Sequence, residues 1–251
     1  SQKIDHESVN VEGNAAGMDL LHSLGATSVP VVSKGDDFVY AQSLKAVADL
    51  LELDVAVGPQ LSMPELVDKM EIVLTAAERL WRQMPNDKLG DKLPNRDRSF
   101  RVLGHHIFRI PEAFLEMAAG NTLTYEMLVE PPPDDMTTVE QITAYGGDVR
   151  ERFGKWWLGV EDVTGDQMVP TYFGDQPILE VLERTTWHAA QHVRQTRMIL
   201  EGMGIEPDRP LTPEDLAGLP VPDKVWDDEP GAGAGKGRFP QVILRFNPSI
   251  S

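Results

Sequence analysis

Four long stretches between residues 61 and 204 carry apolar residues at the spacing of an amphipathic helix, and this pattern constrains the fold more than any other feature. The first begins at the capping box Ser62-Met63-Pro64-Glu65, where a serine and a glutamate three residues apart can satisfy the first backbone N–H groups. The expected helices cover about 62–83, 99–119, 137–158 and 177–202. Four such helices joined by loops of varied length predict a helix bundle over residues 60–204.

Residues 1–59 have a different pattern, in which short β-prone runs alternate with two short helices. The expected order is strand, helix, strand, strand, helix, with the helices at about 15–24 and 44–51. Gly25 provides a stop for the first helix, and Ser43 an N-cap for the second. This order suits a small α/β sheet unit, so the predicted fold class is α+β and mainly α.

Residues 205–251 are rich in proline, glycine and acidic side chains, and we expect an extended tail. A short helix can start at Thr212-Pro213. Gly231–Gly237 is typical of a flexible linker, and it lacks the serine or threonine and the spacing of a phosphate-binding loop. Gln241–Phe246 is apolar and β-prone, and docks either on this chain or on a partner. The expected domains are therefore 1–59, 60–204 and 205–251.

Composition excludes several classes of function. A net charge of -17 repels phosphate backbones, so we expect no nucleic-acid partner. With no cysteine there is no disulfide and no thiol nucleophile, which is compatible with the cytoplasm or another reducing compartment such as an organelle matrix. No signal peptide is recognisable, and no apolar run approaches the roughly 18 residues of a membrane span.

Histidines supply the main candidate site. His188 and His192 are four residues apart on the fourth predicted helix, so they project from the same face and can converge on one ion. The glutamate that zinc proteases carry after the first histidine is absent, which argues against a protease. A divalent metal usually needs a third protein ligand, and the second predicted helix offers His105 and His106.

The periodicity of the second helix decides between these two histidines. His106 follows Leu103 by three residues and precedes Ile110 by four, so it borders the buried stripe. His105 lies about 100° further round the helix, toward solvent or an edge. We therefore predict a site of His106, His188 and His192, and an all-histidine triad with open positions suits zinc, nickel or ferrous iron.

Both histidine segments resemble those of the DinB-like metal-binding helical bundles. Residues 99–107 resemble the segment that donates the first histidine in that family, and residues 182–195 resemble its final helix. The resemblance extends over about 62–205 and puts the first ligand at His106, in agreement with the periodicity. Since DinB-like bundles often pair, it also implies a homodimer.

The N-terminal region, with the motif Ser28-Val29-Pro30, resembles the second half of a glutaredoxin. In that family the proline of such a motif is usually cis and lies beside the active site, and here Pro30 takes its place. The family's first strand, Cys-x-x-Cys loop and first helix are absent from this sequence, either because they were lost in evolution or because this chain is a fragment of a longer protein. Because thiol–disulfide exchange needs a thiolate, we interpret this truncated segment as a packing module.

The DinB-like resemblance implies a function in thiol chemistry. Characterised members include thiol-dependent transferases and an isomerase, in which the metal holds a cofactor thiol as the thiolate. We therefore expect a small thiol such as glutathione and an electrophilic substrate as partners. From the sequence, Tyr172 and Trp187 either line the cofactor pocket or pack in the core, and Gln191, Arg194 and Gln195 are close enough to the histidines in sequence to contact them or the cofactor. No catalytic residue beyond the metal ligands is assigned. The alternative is a noncatalytic accessory subunit of a larger assembly, in which the metal site is vestigial or purely stabilising.

Overall fold

The computed structural model of the chain describes residues 6–11, 13–27, 29–54, 58–93, 97–222, 225 and 242–246. Within them the fold is α+β and mainly helical, as predicted. The helices are α1 (Ala15–Ser23), α2 (Leu44–Leu50), α3 (Met63–Trp81), α4 (Phe100–Ala118), α5 (Tyr125–Val129), α6 (Val139–Leu158), α7 (Ile178–Gly202) and α8 (Pro213–Leu216). The strands are β1 (His6–Asn10), β2 (Val31–Lys34), β3 (Asp37–Tyr40), β4 (Met168–Val169), β5 (Gln176–Pro177) and β6 (Val242–Phe246).

The four long helices begin where the sequence predicts, because local caps fix their ends. At the start of α3, Glu65 accepts hydrogen bonds from the backbone and the hydroxyl of Ser62. Before α6, Thr138 and Gln141 satisfy each other's backbone N–H groups in a second capping box. Ser99 caps α4.

These helices pack against one another around a shared core, with α3 and α4 each contacting both α6 and α7. The largest fully buried side chains come from α3, α4 and α6 and include Trp81, Phe108, Phe114 and Phe153. Helix α4 is therefore covered on two flanks, by α6 and by α7. This packing brings the middle of α4 against the middle of α7, where the predicted histidines lie.

A smaller unit is built on a four-stranded sheet in the order β1-β6-β2-β3. Strand β6 pairs antiparallel with β1 and parallel with β2, while β2 and β3 are antiparallel. Its core combines Val11, Leu21 and Val31 with Ile243 of β6. The Val29–Pro30 peptide bond is cis. Ser28 lies outside the described residues.

The C-terminal residues differ from the expected extended tail. Contacts divide the chain into a unit of Ser1–Gly58 with Gly237–Ser251 and a unit of Pro59–Lys236. Strand β6 thus belongs with the N-terminal sheet, so the apolar segment docks on this chain, whereas α8 lies in the helical unit. The Gly231–Gly237 segment lies outside the described residues.

Among the residues that the structure describes, no helix combines the length and the apolar character that crossing a bilayer requires.

Candidate metal centre

The three predicted histidines meet between α4 and α7. His106, His188 and His192 each offer one ring nitrogen, and these nitrogens all lie within 4.8 Å of one another. The ring centroid of His106 is 5.7 Å from that of His188 and 4.9 Å from that of His192, and the two α7 rings are 5.1 Å apart. All three side chains are buried.

The spacing of these nitrogens fits a divalent metal. Two nitrogens bound tetrahedrally to one ion at about 2.0–2.1 Å are about 3.4 Å apart, so nitrogens that lie within 4.8 Å of one another would move closer together around a common ion. Within the described part of the chain, no aspartate, glutamate or further histidine joins the three. Three protein ligands leave at least one coordination position for water or a substrate atom.

Gln195 controls the orientation of His192. The Nδ1 atom of His192 lies 3.0 Å from the carboxamide Oε1 of Gln195, which is itself fully buried. Because an amide oxygen accepts, Nδ1 carries the ring proton and Nε2 carries the lone pair that a metal needs. The next residue, Thr196, bonds to the backbone carbonyl of His192 and does not touch the ring through that bond.

His106 is oriented by a backbone group of α5. Its ring donates a hydrogen bond to the carbonyl of Leu128. Glu130, just after α5, pairs with the buried Arg109 of α4 at 2.9 Å. Arg109 therefore ties α5 to the helix that carries His106. Sequence reasoning missed α5, although Thr124 caps it as an N-cap threonine should.

Burial lowers the pKa of His106. Desolvation, followed by the neighbouring His192 and the positive charge of Arg98, holds the pKa of His106 well below its usual range. The hydrogen bond to Leu128 acts in the opposite direction without reversing the shift. His106 is therefore a neutral imidazole at physiological pH, which is the form that binds metal.

The prediction that His105 lies toward solvent or an edge is wrong. Its side chain is only 4% exposed, and its ring stacks on Tyr145 of α6 at a centroid distance of 5.1 Å. The Tyr145 hydroxyl donates to Glu112. His105 is buried because α6 covers the side of α4 on which it lies. The periodicity of the sequence predicted a single buried face on α4, whereas two faces are covered. The adjacent His106 alone reaches the metal centre.

The three residues predicted to contact a cofactor lie in different surroundings. The Trp187 ring stacks beside His188, with centroids 5.9 Å apart and planes 24° apart. Gln191 is fully buried, and its Oε1 accepts from Arg194 at 2.6 Å. Tyr172 lies in the loop between β4 and β5, before α7, and its hydroxyl accepts a 3.4 Å hydrogen bond from Arg184.

Arg184 was not singled out from the sequence, although a signal was present. Together with His188 and His192 it forms a series with a spacing of four residues, which puts all three on the same face of α7.

Comparisons with known proteins add no assignment. No protein-family model matches the chain, and no curated protein matches it. The fold and the site define a helix-rich protein with a buried three-histidine group that can hold a metal ion.

Proposed function

We propose that the chain is a DinB-like metal-binding protein that activates a small thiol, such as glutathione, for transfer to an electrophile or for an isomerisation. One observation carries the proposal: three buried histidine nitrogens lie within 4.8 Å of one another with no acidic ligand beside them among the described residues. Three imidazoles in this arrangement suit zinc, nickel or ferrous iron.

The chemistry follows from the donor set and its burial. A bound divalent metal supplies a Lewis acid that favours thiolate over thiol near neutral pH. The histidines hold that ion, and Gln195 with the Leu128 carbonyl fixes two of their rings. The burial of the three histidine side chains limits the access of water to a thiolate held there.

A second candidate is a purely structural metal site in a noncatalytic accessory subunit. Deep burial favours it, because His106, His188 and His192 are only 7%, 5% and 1% exposed. The absence of cysteine also removes the redox chemistry of a complete glutaredoxin from these residues. In this case the metal contributes folding free energy and no turnover.

Elemental analysis of protein purified without a metal-chelating column tests the metal centre. We expect near-stoichiometric zinc, nickel or iron in the wild type and its loss in the double variant His188→Ala, His192→Ala. The matched control is His22→Ala, which removes an exposed histidine of α1 and should keep the metal. A wild-type protein that takes up no metal even on reconstitution contradicts both candidates.

Thiol-transfer assays then separate the two. Glutathione and 1-chloro-2,4-dinitrobenzene should react at a rate that depends on the loaded metal and falls in the double variant. A fully loaded protein without any metal-dependent thiol transfer, tested over a panel of electrophiles, would favour the structural site.

A further inference from the structure

A groove on the helical unit lies apart from the three histidines, none of which lines it. Residues of α3, Arg197 of α7 and residues 209–215 form its walls, and its volume is about 660 Å³. Sites for small organic molecules usually measure about 300–1,000 Å³. The apolar part of its lining consists of Ile72, Pro210, Leu211 and Pro213. The groove therefore has the size and the apolar surface that a small organic ligand needs.

Side chains of α3 and of the turn after it fix one wall of the groove. Arg79 donates from Nε to the carbonyl of Asp208 at 2.8 Å and from Nη2 to the carbonyl of Arg209. Gln83 accepts from the backbone N–H of Asp208 at 2.8 Å and donates to the carbonyl of Glu206. Because these bonds already order the wall, a ligand loses less entropy in binding to it.

The backbone of Arg209 has a strained conformation at the edge of the groove. Its φ of 45° lies in the left-handed region, which disfavours any residue that has a Cβ atom. The bonds from Arg79 to the two carbonyls on either side of this φ hold the conformation in place. Strained positions that the surrounding structure holds in this way cluster at binding and catalytic sites. Arg209 lines both the groove and a second pocket beside it.

The three arginines of the groove are each held through Nε and keep N–H donors for a ligand. Arg197 donates from Nε to Glu201 at 2.8 Å. Arg209 donates from Nε to Asp208 at 3.1 Å, and Arg79 donates to the carbonyls described above. No residue that the structure describes accepts a hydrogen bond from Nη1 of Arg79, Arg197 or Arg209. These guanidinium groups are therefore oriented and still able to donate.

The two carboxylates of the groove have partners of their own. Glu71 accepts a hydrogen bond from Nη1 of Arg150 at 2.6 Å. Asp215 accepts from the backbone N–H of Thr212 at 2.8 Å, where it completes the capping box of α8. Neither carboxylate bonds to an arginine of the groove, so neither occupies the N–H groups that a ligand would use.

The adjoining pocket adds positive charge at one end of the groove. Its volume is about 430 Å³, and it shares Arg79 and Arg209 with the groove. It also contains Arg82 and Arg150, which both donate to the buried Glu78. Five arginines and four acidic residues line the two pockets together, whereas the whole chain has 23 basic and 40 acidic residues. An anion is therefore drawn to this end of the groove on an otherwise acidic protein.

We propose that the groove binds a small organic anion that consists of an apolar body and a carboxylate or phosphate. The apolar body lies on Ile72, which is 38% exposed, and on Leu211. The anionic group lies between Arg79, Arg197 and Arg209, because a guanidinium offers a planar pair of N–H donors to such oxygens. This site is separate from the metal centre, so the inference goes beyond the proposed function and does not depend on it.

Calorimetric titration of the full chain with three probes tests the site. 2-Naphthoate, 2-naphthyl phosphate and 2-naphthamide share one apolar body and differ in the charged group. We expect at least one anion to bind tenfold or more tightly than the amide, and the better anion identifies the preferred group. The double variant Arg197→Met, Arg209→Met should lower this preference below threefold, whereas Ile72→Ser should weaken all three probes alike.

The matched control is Lys88→Met, Lys92→Met, which removes two positive charges from exposed residues that line neither pocket. It should keep the wild-type preference, and all variants should keep the wild-type metal content and urea midpoint. In amide NMR spectra, the preferred anion should shift residues 71–79 and 209–215. Equal affinity for anions and amide overturns the site, as does a preference that survives the arginine variant. Failure of every probe to bind at 5 mM, or shifts confined to other residues, also overturns it.

Discussion

A single hydrogen bond from His192 to Gln195 orients one ring of the metal centre. The Oε1 atom of Gln195 accepts from His192 Nδ1 at 3.0 Å, which directs the lone pair of Nε2 to the ion. We predict that Gln195→Leu, which keeps the volume and loses the acceptor, weakens Co²⁺ or Zn²⁺ affinity by about 10- to 100-fold. Competition with a chromophoric chelator measures this. Gln195→Glu, which still accepts, should bind at least as tightly as the wild type.

The control for that series is the isosteric change Thr196→Val. Thr196 is fully buried beside Gln195, and its hydroxyl donates to the backbone carbonyl of His192. The change should leave the affinity within about twofold. Nitrogen NMR of the metal-free protein should also show the Nδ1-protonated tautomer of His192 in the wild type and a mixture in Gln195→Leu. Equal affinities for the leucine and threonine variants would contradict a positioning role.

The depressed pKa of His106 makes the metal-free protein sensitive to acid. Below about pH 6.5 the unfolded chain binds a proton at this ring, whereas the folded chain does not, so stability falls as pH decreases toward the folded pKa. The contribution is at most about 1.4 kcal/mol per pH unit. Urea unfolding at pH 7.5 and 5.5 should therefore show a smaller loss in His106→Gln than in the wild type.

An exposed histidine provides the comparison for this pH effect. His22→Gln in α1 should keep the full pH dependence of the wild type. If His106→Gln and the wild type lose the same free energy of unfolding between the two pH values, His106 is not the buried neutral group that the structure describes.

At the residue scale, helix spacing predicts the three ligands and puts Gln195 beside them on α7, but it does not predict the supports that other elements contribute. Spacing on α7 and periodicity on α4 were sufficient to select the three histidines, because both depend on neighbours within two helical turns. The Leu128 carbonyl could not be predicted in this way, since it is a backbone group contributed by a different element. The burial of His105 depended on α6, which lies more than 30 residues away in sequence.

The contact between α4 and α6 depends on a glycine. A Cβ atom at Gly146 would lie 2.5 Å from the Phe108 ring, which is fully buried and cannot move aside cheaply. We predict that Gly146→Ala destabilises the helical unit by about 1–3 kcal/mol, measured by urea unfolding. Because Phe108 follows His106 by two residues on α4, the variant should also weaken metal binding.

Gly154 on the same helix is the matched control. An added Cβ there meets nothing within 4 Å, so Gly154→Ala should stabilise α6 by about 0.5–1 kcal/mol through its better helix propensity. The opposite signs of the two substitutions separate the steric effect from propensity. A Gly146→Ala protein as stable as Gly154→Ala would show that α4 and α6 do not approach closely.

The helices that the sequence predicted correctly are those with clear caps and a long apolar periodicity. Helices α3, α4, α6 and α7 combine caps with long apolar periodicity, and their starts agree with the sequence analysis to within a residue or two. Helix α5 is only five residues long and has too few turns to show a period. Its position depends instead on tertiary contacts, such as the ion pair between Arg109 and Glu130.

At the scale of the whole molecule, strand β6 completes the N-terminal sheet. The sequence indicated a β-prone segment but not its partner, because β-propensity says nothing about which edge a strand will meet. In the sheet, His6 of β1 pairs with Phe246, and Val31 of β2 pairs with Ile243, across more than 200 residues of sequence. Such non-local pairing is the part of the fold that local patterns leave undetermined.

The two compact units should respond separately to damage in this strand. Ile243 is fully buried in the small core, so Ile243→Asp forces an unpaired carboxylate into apolar surroundings at a cost of several kcal/mol. The exposed Arg245 on the same strand offers the matched substitution Arg245→Asp, which should cost no more than about 1 kcal/mol.

Hydrogen exchange read by mass spectrometry should show lost protection at residues 31–40 in Ile243→Asp only. Residues 63–81 and the metal content should be unchanged in both variants, because α3 and the histidines belong to the other unit. Loss of protection in α3 as well would mean that the sheet and the helices unfold as one cooperative body.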